Sequence, residues 1–153
     1  MALLLLIPAV AALALTLAVL GLTILRRRRG LPPALRGLAA LAGAAAAALY
    51  TWGLLFLGSA VLDAEDGGTD SAPIRPCRLP DRREEVMRVV DYTIGYLPPR
   101  FVCEMRDGDS YTTGHVPGYV APGVAVAALT GAGLAIAAGF VAEHHARRTP
   151  GRP

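Results

Sequence analysis

Three long runs of apolar residues divide the chain, and each is long enough to cross a bilayer as a helix. They predict transmembrane helices over residues 1–25, 38–62 and 118–142. None of these runs contains Asp, Glu, Lys, Arg or His. The segments that separate or follow them are polar, and they cover residues 26–37, 63–117 and 143–153. The pattern predicts an α-helical membrane protein with a polar domain between its second and third spans.

A cluster of arginines after the first span predicts the orientation of the whole chain. The cluster comprises Arg26, Arg27, Arg28 and Arg29, with Arg36 in the same short connection. Because short arginine-rich loops stay in the cytoplasm, the N-terminus is expected outside and the C-terminus inside the cell membrane. A cleaved signal peptide is the alternative, but its positive charge would precede the apolar run.

The charges of the polar segments agree with that orientation. The segments expected inside carry eight arginines and one acid, whereas residues 63–117 carry eleven acids and seven arginines. This split explains the isoelectric point of about 9.2 without a nucleic-acid partner. The inner arginines are expected to contact membrane lipids, including anionic headgroups, and simple anchoring of the topology is the alternative.

The outer segment, residues 63–117, is expected to hold one helix and one β-hairpin. A helix is predicted from Asp81 to about Ile94, with Asp81 as its N-cap, Glu84 completing a capping box and Gly95 ending it. A hairpin is predicted over 100–116 around the turn signal Asp107-Gly108. A two-residue turn there sets Arg106 opposite Asp109 and Glu104 opposite Tyr111. Phe101, Cys103 and Met105 then share the inner face.

Both cysteines, Cys77 and Cys103, lie in this outer segment. Outside the cytoplasm such a pair is expected to oxidise, and a small domain gains from a covalent link. We therefore predict a structural disulfide, with a redox-active pair as the alternative. The fold expected is a disulfide-stapled extracytoplasmic helix-plus-hairpin domain between transmembrane helices.

Polar residues inside the spans are few. Tyr50, Thr51 and Trp52 fall near the middle of the second span, too deep for an aromatic belt at the headgroups. They are expected to face a neighbouring helix, with Thr16 and Thr130 at similar depths. A hydrogen-bonded cluster among the three helices is one reading, and threonines bonded to their own helix backbones are the other.

No constellation of side chains indicates catalysis. Ser110 and Thr112 lie near His115 in sequence, but that proximity does not make a nucleophile and its base. His144 and His145 are expected inside, so the three histidines do not form one metal site. No cofactor, metal site or catalytic residue is predicted, and spans without ionisable groups argue against a transporter acting alone.

Small residues recur at every fourth position of the third span, and this ladder is a candidate packing face for another helix. It comprises Gly123, Ala127, Gly131, Ala135 and Gly139. Packing within the chain is one reading. A membrane-protein partner or a homo-oligomer is the other.

The later part of the chain contains the segment Tyr96-Leu-Pro-Pro-Arg-Phe-Val-Cys-Glu-Met-Arg-Asp-Gly108, then Val116-Pro-Gly-Tyr-Val-Ala-Pro122 and an Ala/Gly-rich span. This part resembles small integral membrane proteins of GC-rich actinobacteria. The resemblance covers the last third of the chain and implies no activity. We therefore expect a non-enzymatic accessory or structural membrane component that acts by association through its outer domain and spans. A thiol-redox component of the cell envelope and a ligand sensor are the alternatives.

Overall fold

The computed structural model describes residues 2–27, 29–66 and 73–148. Its long helices are α1 (Ala2–Arg27), α2 (Leu31–Glu65) and α4 (Val120–Arg148), and all three are long and apolar enough to cross a membrane. Between α2 and α4 lie two 3₁₀ turns (Arg75–Cys77 and Pro80–Arg82), the one-turn helix α3 (Arg83–Val86) and the strands β1 (Val89–Tyr96), β2 (Pro99–Met105) and β3 (Ser110–Thr112).

The predicted apolar helices are present, but their ends differ from the predicted ones. Pro32 and Pro33 lie in the first turn of α2 instead of in a loop, because the first turn of a helix does not need their missing amide hydrogens. Gly30 makes the reversal before α2 at a φ of 118°, a conformation that side chains disfavour. The predicted basic tail is helical as far as Arg148.

Two compact units make up the structure. Within the described residues, one unit falls in Met1–Leu3 and Tyr50–Ala121, and the other falls in Leu4–Leu49 and Pro122–Pro153. We call the first the outer unit and the second the helical unit. In the helical unit, α1 and α2 approach closely where glycines meet: a methyl group on Gly21 would lie 2.8 Å from the carbonyl oxygen of Gly37. Small residues therefore set the distance between these two helices.

The outer unit contains an antiparallel sheet of three strands, in the order β1-β2-β3. The helix predicted from Asp81 to about Ile94 is therefore wrong beyond its first turns, since Val89–Tyr96 is a strand. The cause is that a short run of apolar residues fits both the 3.6-residue period of a helix and the two-residue period of a strand. Valine, tyrosine, threonine and isoleucine favour a strand when a neighbouring strand offers hydrogen bonds, and β2 does so from Val89 to Tyr96.

The second hairpin forms around Asp107-Gly108 as predicted, but its register is shifted by one residue. Glu104 lies opposite Ser110, and Cys103 lies opposite Tyr111. The loop holds three residues instead of two: the amide of Gly108 donates to Met105 O over 3.1 Å, and the amide of Met105 donates to Asp109 O over 2.9 Å. Gly108 supplies the positive φ, 90°, that this kind of loop requires at its third residue.

The core of the outer unit lies between the sheet and the C-terminal half of α2. Leu54, Leu57 and Ala60 are fully buried and recur at helical spacing along one face of α2. Phe101 and Cys103 are fully buried on the predicted inner face of β2, whereas Met105 is only partly buried. This core attaches the sheet directly to the helix.

Candidate functional site

The predicted disulfide between Cys77 and Cys103 is present, with the two Cα atoms 6.0 Å apart. It joins the first 3₁₀ turn to the central strand. Both cysteines are fully buried, and Tyr111 donates a buried hydrogen bond of 2.6 Å to the carbonyl oxygen of Cys77. Cysteines that exchange disulfides are usually accessible to their partners. The burial of this pair therefore favours a structural link over redox chemistry.

A tyrosine joins the sheet to the end of α2. The hydroxyl of Tyr92 donates to Glu65 Oε1 over 3.1 Å, and its ring stacks on Phe101 with centroids 4.8 Å apart. Burial raises the pKa of Tyr92, and the hydrogen bond and charge of Glu65 raise it further. Tyr92 thus stays neutral and keeps donating at ordinary pH, which holds β1 against α2.

The aromatic residues in the middle of α2 have partners that the sequence did not predict. Tyr50 Oη donates to the backbone carbonyl of Tyr96 over 2.8 Å, and Trp52 Nε1 donates to Tyr119 Oη over 3.1 Å. Thr16 and Thr130 donate to carbonyls of their own helices, which is what the second reading of the sequence expects of these two threonines. Nothing in the apolar pattern marked Tyr96 or Tyr119 as these acceptors.

The structure pairs His115 with a residue that sequence reasoning passed over. Its Nδ1 lies 2.9 Å from Thr113 Oγ1, whereas Ser110 and Thr112 lie on β3. An imidazole beside a hydroxyl resembles an activated nucleophile. Thr113 is buried, however, so the hydroxyl is shielded from any substrate. The pair is better explained as internal bonding that supports the end of the sheet.

Strand β1 forms one edge of the sheet, and no described strand pairs with its outer side. Two apolar side chains at its start, Met87 and Val90, are 76% and 52% exposed. A bulge falls between Val89 and Asp91, and such irregularities limit uncontrolled pairing at sheet edges. The pairing beyond the bulge is regular as far as Tyr96. This edge is a candidate surface for association in the outer unit.

Clusters of basic residues lie near the ends of the long helices. Arg26, Arg27, Arg29 and Arg36 are exposed, whereas Arg28 lies outside the described residues. Near the end of α4, Arg147 pairs with Glu143 over 2.6 Å, and His144 lies beside them in a surface hollow. Across the described ranges no group of three or more metal-binding side chains comes together.

The small-residue ladder of the third span does not stay on one face of α4. Gly131 is buried, and a methyl group there would lie 3.2 Å from the carbonyl oxygen of Ala39 in α2. At Gly123 a methyl group would lie 3.2 Å from the side-chain atom Cδ1 of Leu49. Ala127 is partly buried, while Ala135 and Gly139 are exposed. The reason is that a spacing of four residues drifts by about 40° per step around a helix of 3.6 residues per turn.

Comparison of the chain with family models, curated proteins and solved structures gave no match. Its class therefore rests on the fold alone. The chain is a mainly helical protein with three helices of membrane-crossing length, and it carries a small disulfide-linked antiparallel sheet.

Proposed function

We propose that this chain is a non-enzymatic membrane component that acts by association, with the outer unit as the head that its partner contacts. The three long helices cross the cell membrane, the N-terminus lies outside and the C-terminus lies in the cytoplasm. The partner is another membrane protein or a second copy of the chain. The inner arginines contact anionic lipid headgroups.

One observation carries this proposal: the sheet is attached to a helix of membrane-crossing length, through the hydrogen bonds of Tyr50 with Tyr96 and of Tyr92 with Glu65. Leu54 and Leu57 of α2 are buried to 0% exposure together with Phe101 of the sheet. The disulfide closes the same core. A head of this kind holds the β1 edge beside the part of α2 that follows Tyr50. Such preorganisation reduces the entropy that a partner must overcome on binding.

The orientation is tested by labelling single cysteines, while the native pair remains oxidised and buried. In intact cells an impermeant maleimide is expected to label Thr112→Cys on β3 and to leave Leu31→Cys unlabelled, because the arginines beside Leu31 are held in the cytoplasm. Lysis should expose Leu31→Cys and provides the control for its reactivity. Labelling of Leu31→Cys, but not Thr112→Cys, in intact cells would reverse the proposed topology.

Association is tested by cross-linking the tagged protein in membranes and purifying it in a mild detergent. The wild type is expected to yield a defined cross-linked species. Val90→Glu should remove that species, because it places a charge at the exposed apolar start of β1. Thr112→Glu is the matched control, since it adds the same charge at an exposed position of β3, and it should leave the species intact.

Two results would contradict the proposal. One is a wild-type protein that stays monomeric and without a partner under both conditions. The other is a cellular phenotype lost in His115→Ala while the protein remains folded, since a single polar side chain of that importance would indicate chemistry. Loss of the cross-linked species in both glutamate variants would reject the β1 edge as the contact surface while leaving association itself supported.

A further inference from the structure

Two segments of the outer unit meet beside the middle of α2. The turn between β1 and β2 is held there by the hydrogen bond from Tyr50 to Tyr96. The start of α4 is held by the bond from Trp52 to Tyr119. Gly53 lies between them: a methyl group on it would come within 2.8 Å of Val120 and 3.1 Å of Pro99. The turn, the start of α4 and Tyr50–Gly53 therefore lie at one level.

Apolar and aromatic side chains are exposed at this level. Leu97, in the turn, is 86% exposed, Tyr119 is 58% exposed and Trp52 is 47% exposed. Exposing a leucine side chain to water costs free energy, and the residues of the turn bury little of Leu97. Tryptophan and tyrosine are the residues enriched where a membrane meets water, because each ring has an apolar body and a polar group. The chemistry of this surface therefore fits a lipid interface.

The lengths of the helices place the membrane boundary at the same level. From Leu31 to Leu49, α2 has about 19 residues, or roughly 28 Å of helix, close to the thickness of a hydrocarbon core, about 30 Å. The exposed Arg36 lies near the inner end of this stretch, where a long arginine side chain extends its charged group to the headgroups. From Tyr50 onward α2 packs against a sheet with exposed Asp91, Arg100 and Glu104. Such groups belong in water, which favours a membrane boundary near Tyr50 over one at the outer end of the span predicted over 38–62.

We propose that the β1–β2 turn, with Trp52 and Tyr119, is embedded at the headgroup–acyl boundary of the outer leaflet, and that Leu97 inserts into the lipid. The inference rests on the proposed membrane insertion and adds a specific lipid contact of the outer unit. The occupant is phospholipid, because the exposed surface is continuous with the point where α4 begins. The half of α2 that follows Tyr50 is then a stalk outside the membrane.

The test uses the full chain in phospholipid vesicles at a low ratio of protein to lipid. Trp52 is the only tryptophan of the chain, so its fluorescence reports the depth of this level directly. The turn is probed by Leu97→Cys labelled with the fluorophore NBD, while the native disulfide stays intact. Asp109→Cys, at the opposite turn of the same sheet, is the matched control. Leu13→Cys, in the middle of α1, reports insertion itself.

Each probe is measured with lipids that carry a nitroxide quencher near the headgroup or deep in the acyl chain, and with a quencher in water. Trp52 and the label at Leu97 should lose most of their fluorescence to the shallow nitroxide and little to the deep one. The label at Asp109 should be quenched only from water, and the label at Leu13 mainly by the deep nitroxide.

The remaining outcomes overturn the inference in distinguishable ways. If the label at Leu13 is quenched only from water, the proposed insertion fails and the lipid contact fails with it. If Leu13 is deep but Leu97 is quenched only from water, the turn does not touch lipid. Shielding of Leu97 from all quenchers would indicate a protein partner or a second copy. Strongest quenching of Trp52 by the deep nitroxide would place it mid-membrane, as the apolar pattern predicted.

Discussion

Phe101→Ala is expected to destabilise the outer unit by about 3–5 kcal/mol, the usual cost of removing a buried phenylalanine ring. Phe101 is fully buried at the centre of β2 and stacks on Tyr92 at 4.8 Å. Its loss leaves a cavity between the sheet and α2 and removes the support of the ring that bonds Glu65. Because small domains are marginally stable, a loss of this size is a large fraction of the total.

The effect is measured by urea titration in a mild detergent, followed by the fluorescence of Trp52. That residue is bonded to Tyr119 within the same unit, so its emission reports the unfolding of this unit. Phe140→Ala is the matched control. It makes the same chemical change on α4 at a side chain that is 69% exposed, and it should leave the midpoint nearly unchanged. Equal shifts for both variants would show that the Phe101 core does not stabilise the sheet.

Cys77→Ser and Cys103→Ser are each expected to cost the outer unit about 3.5 kcal/mol. The bond closes a loop with a sequence separation of 26, and the chain-entropy model assigns about that value to such a loop. Either serine variant, and the double variant, should lose a similar amount because all three remove the same link. The measurements are the abundance of the protein in cells and the urea midpoint of the purified protein. Both should be lower in the serine variants than in the wild type.

Reduction of the wild type provides the control for the cysteine variants, since it opens the bond without changing the sequence. It should lower the midpoint to a similar extent. A different pattern would revive the redox alternative: normal abundance and stability in the serine variants, combined with loss of a cellular phenotype. Two free thiols in wild-type protein trapped with an alkylating reagent would contradict both interpretations of the pair.

The outer unit shows where sequence patterns reach their limit. Val86, Val89, Val90 and Ile94 fit a helical face, and Asp81 with Glu84 fits a capping box. The same valines and isoleucine also suit a strand. The choice depends on β2, which lies further along the chain and supplies hydrogen bonds that no local pattern contains. The register of the second hairpin was missed for a related reason, since Gly108 serves equally well in two-residue and three-residue loops.

By itself, the sequence determined three helices of membrane-crossing length, the cysteine pair and the turn at Asp107-Gly108. Each depends on local chemistry: an uninterrupted apolar run, two cysteines in one segment, and a residue that tolerates positive φ. Only the tertiary structure decided that Val89–Tyr96 is a strand, that Tyr50 and Trp52 bond the outer unit, and that Leu54 and Leu57 form its core. These depend on contacts between distant segments. The sequence of α2 is largely apolar on both sides of Tyr50, so its pattern does not mark where the outer unit begins.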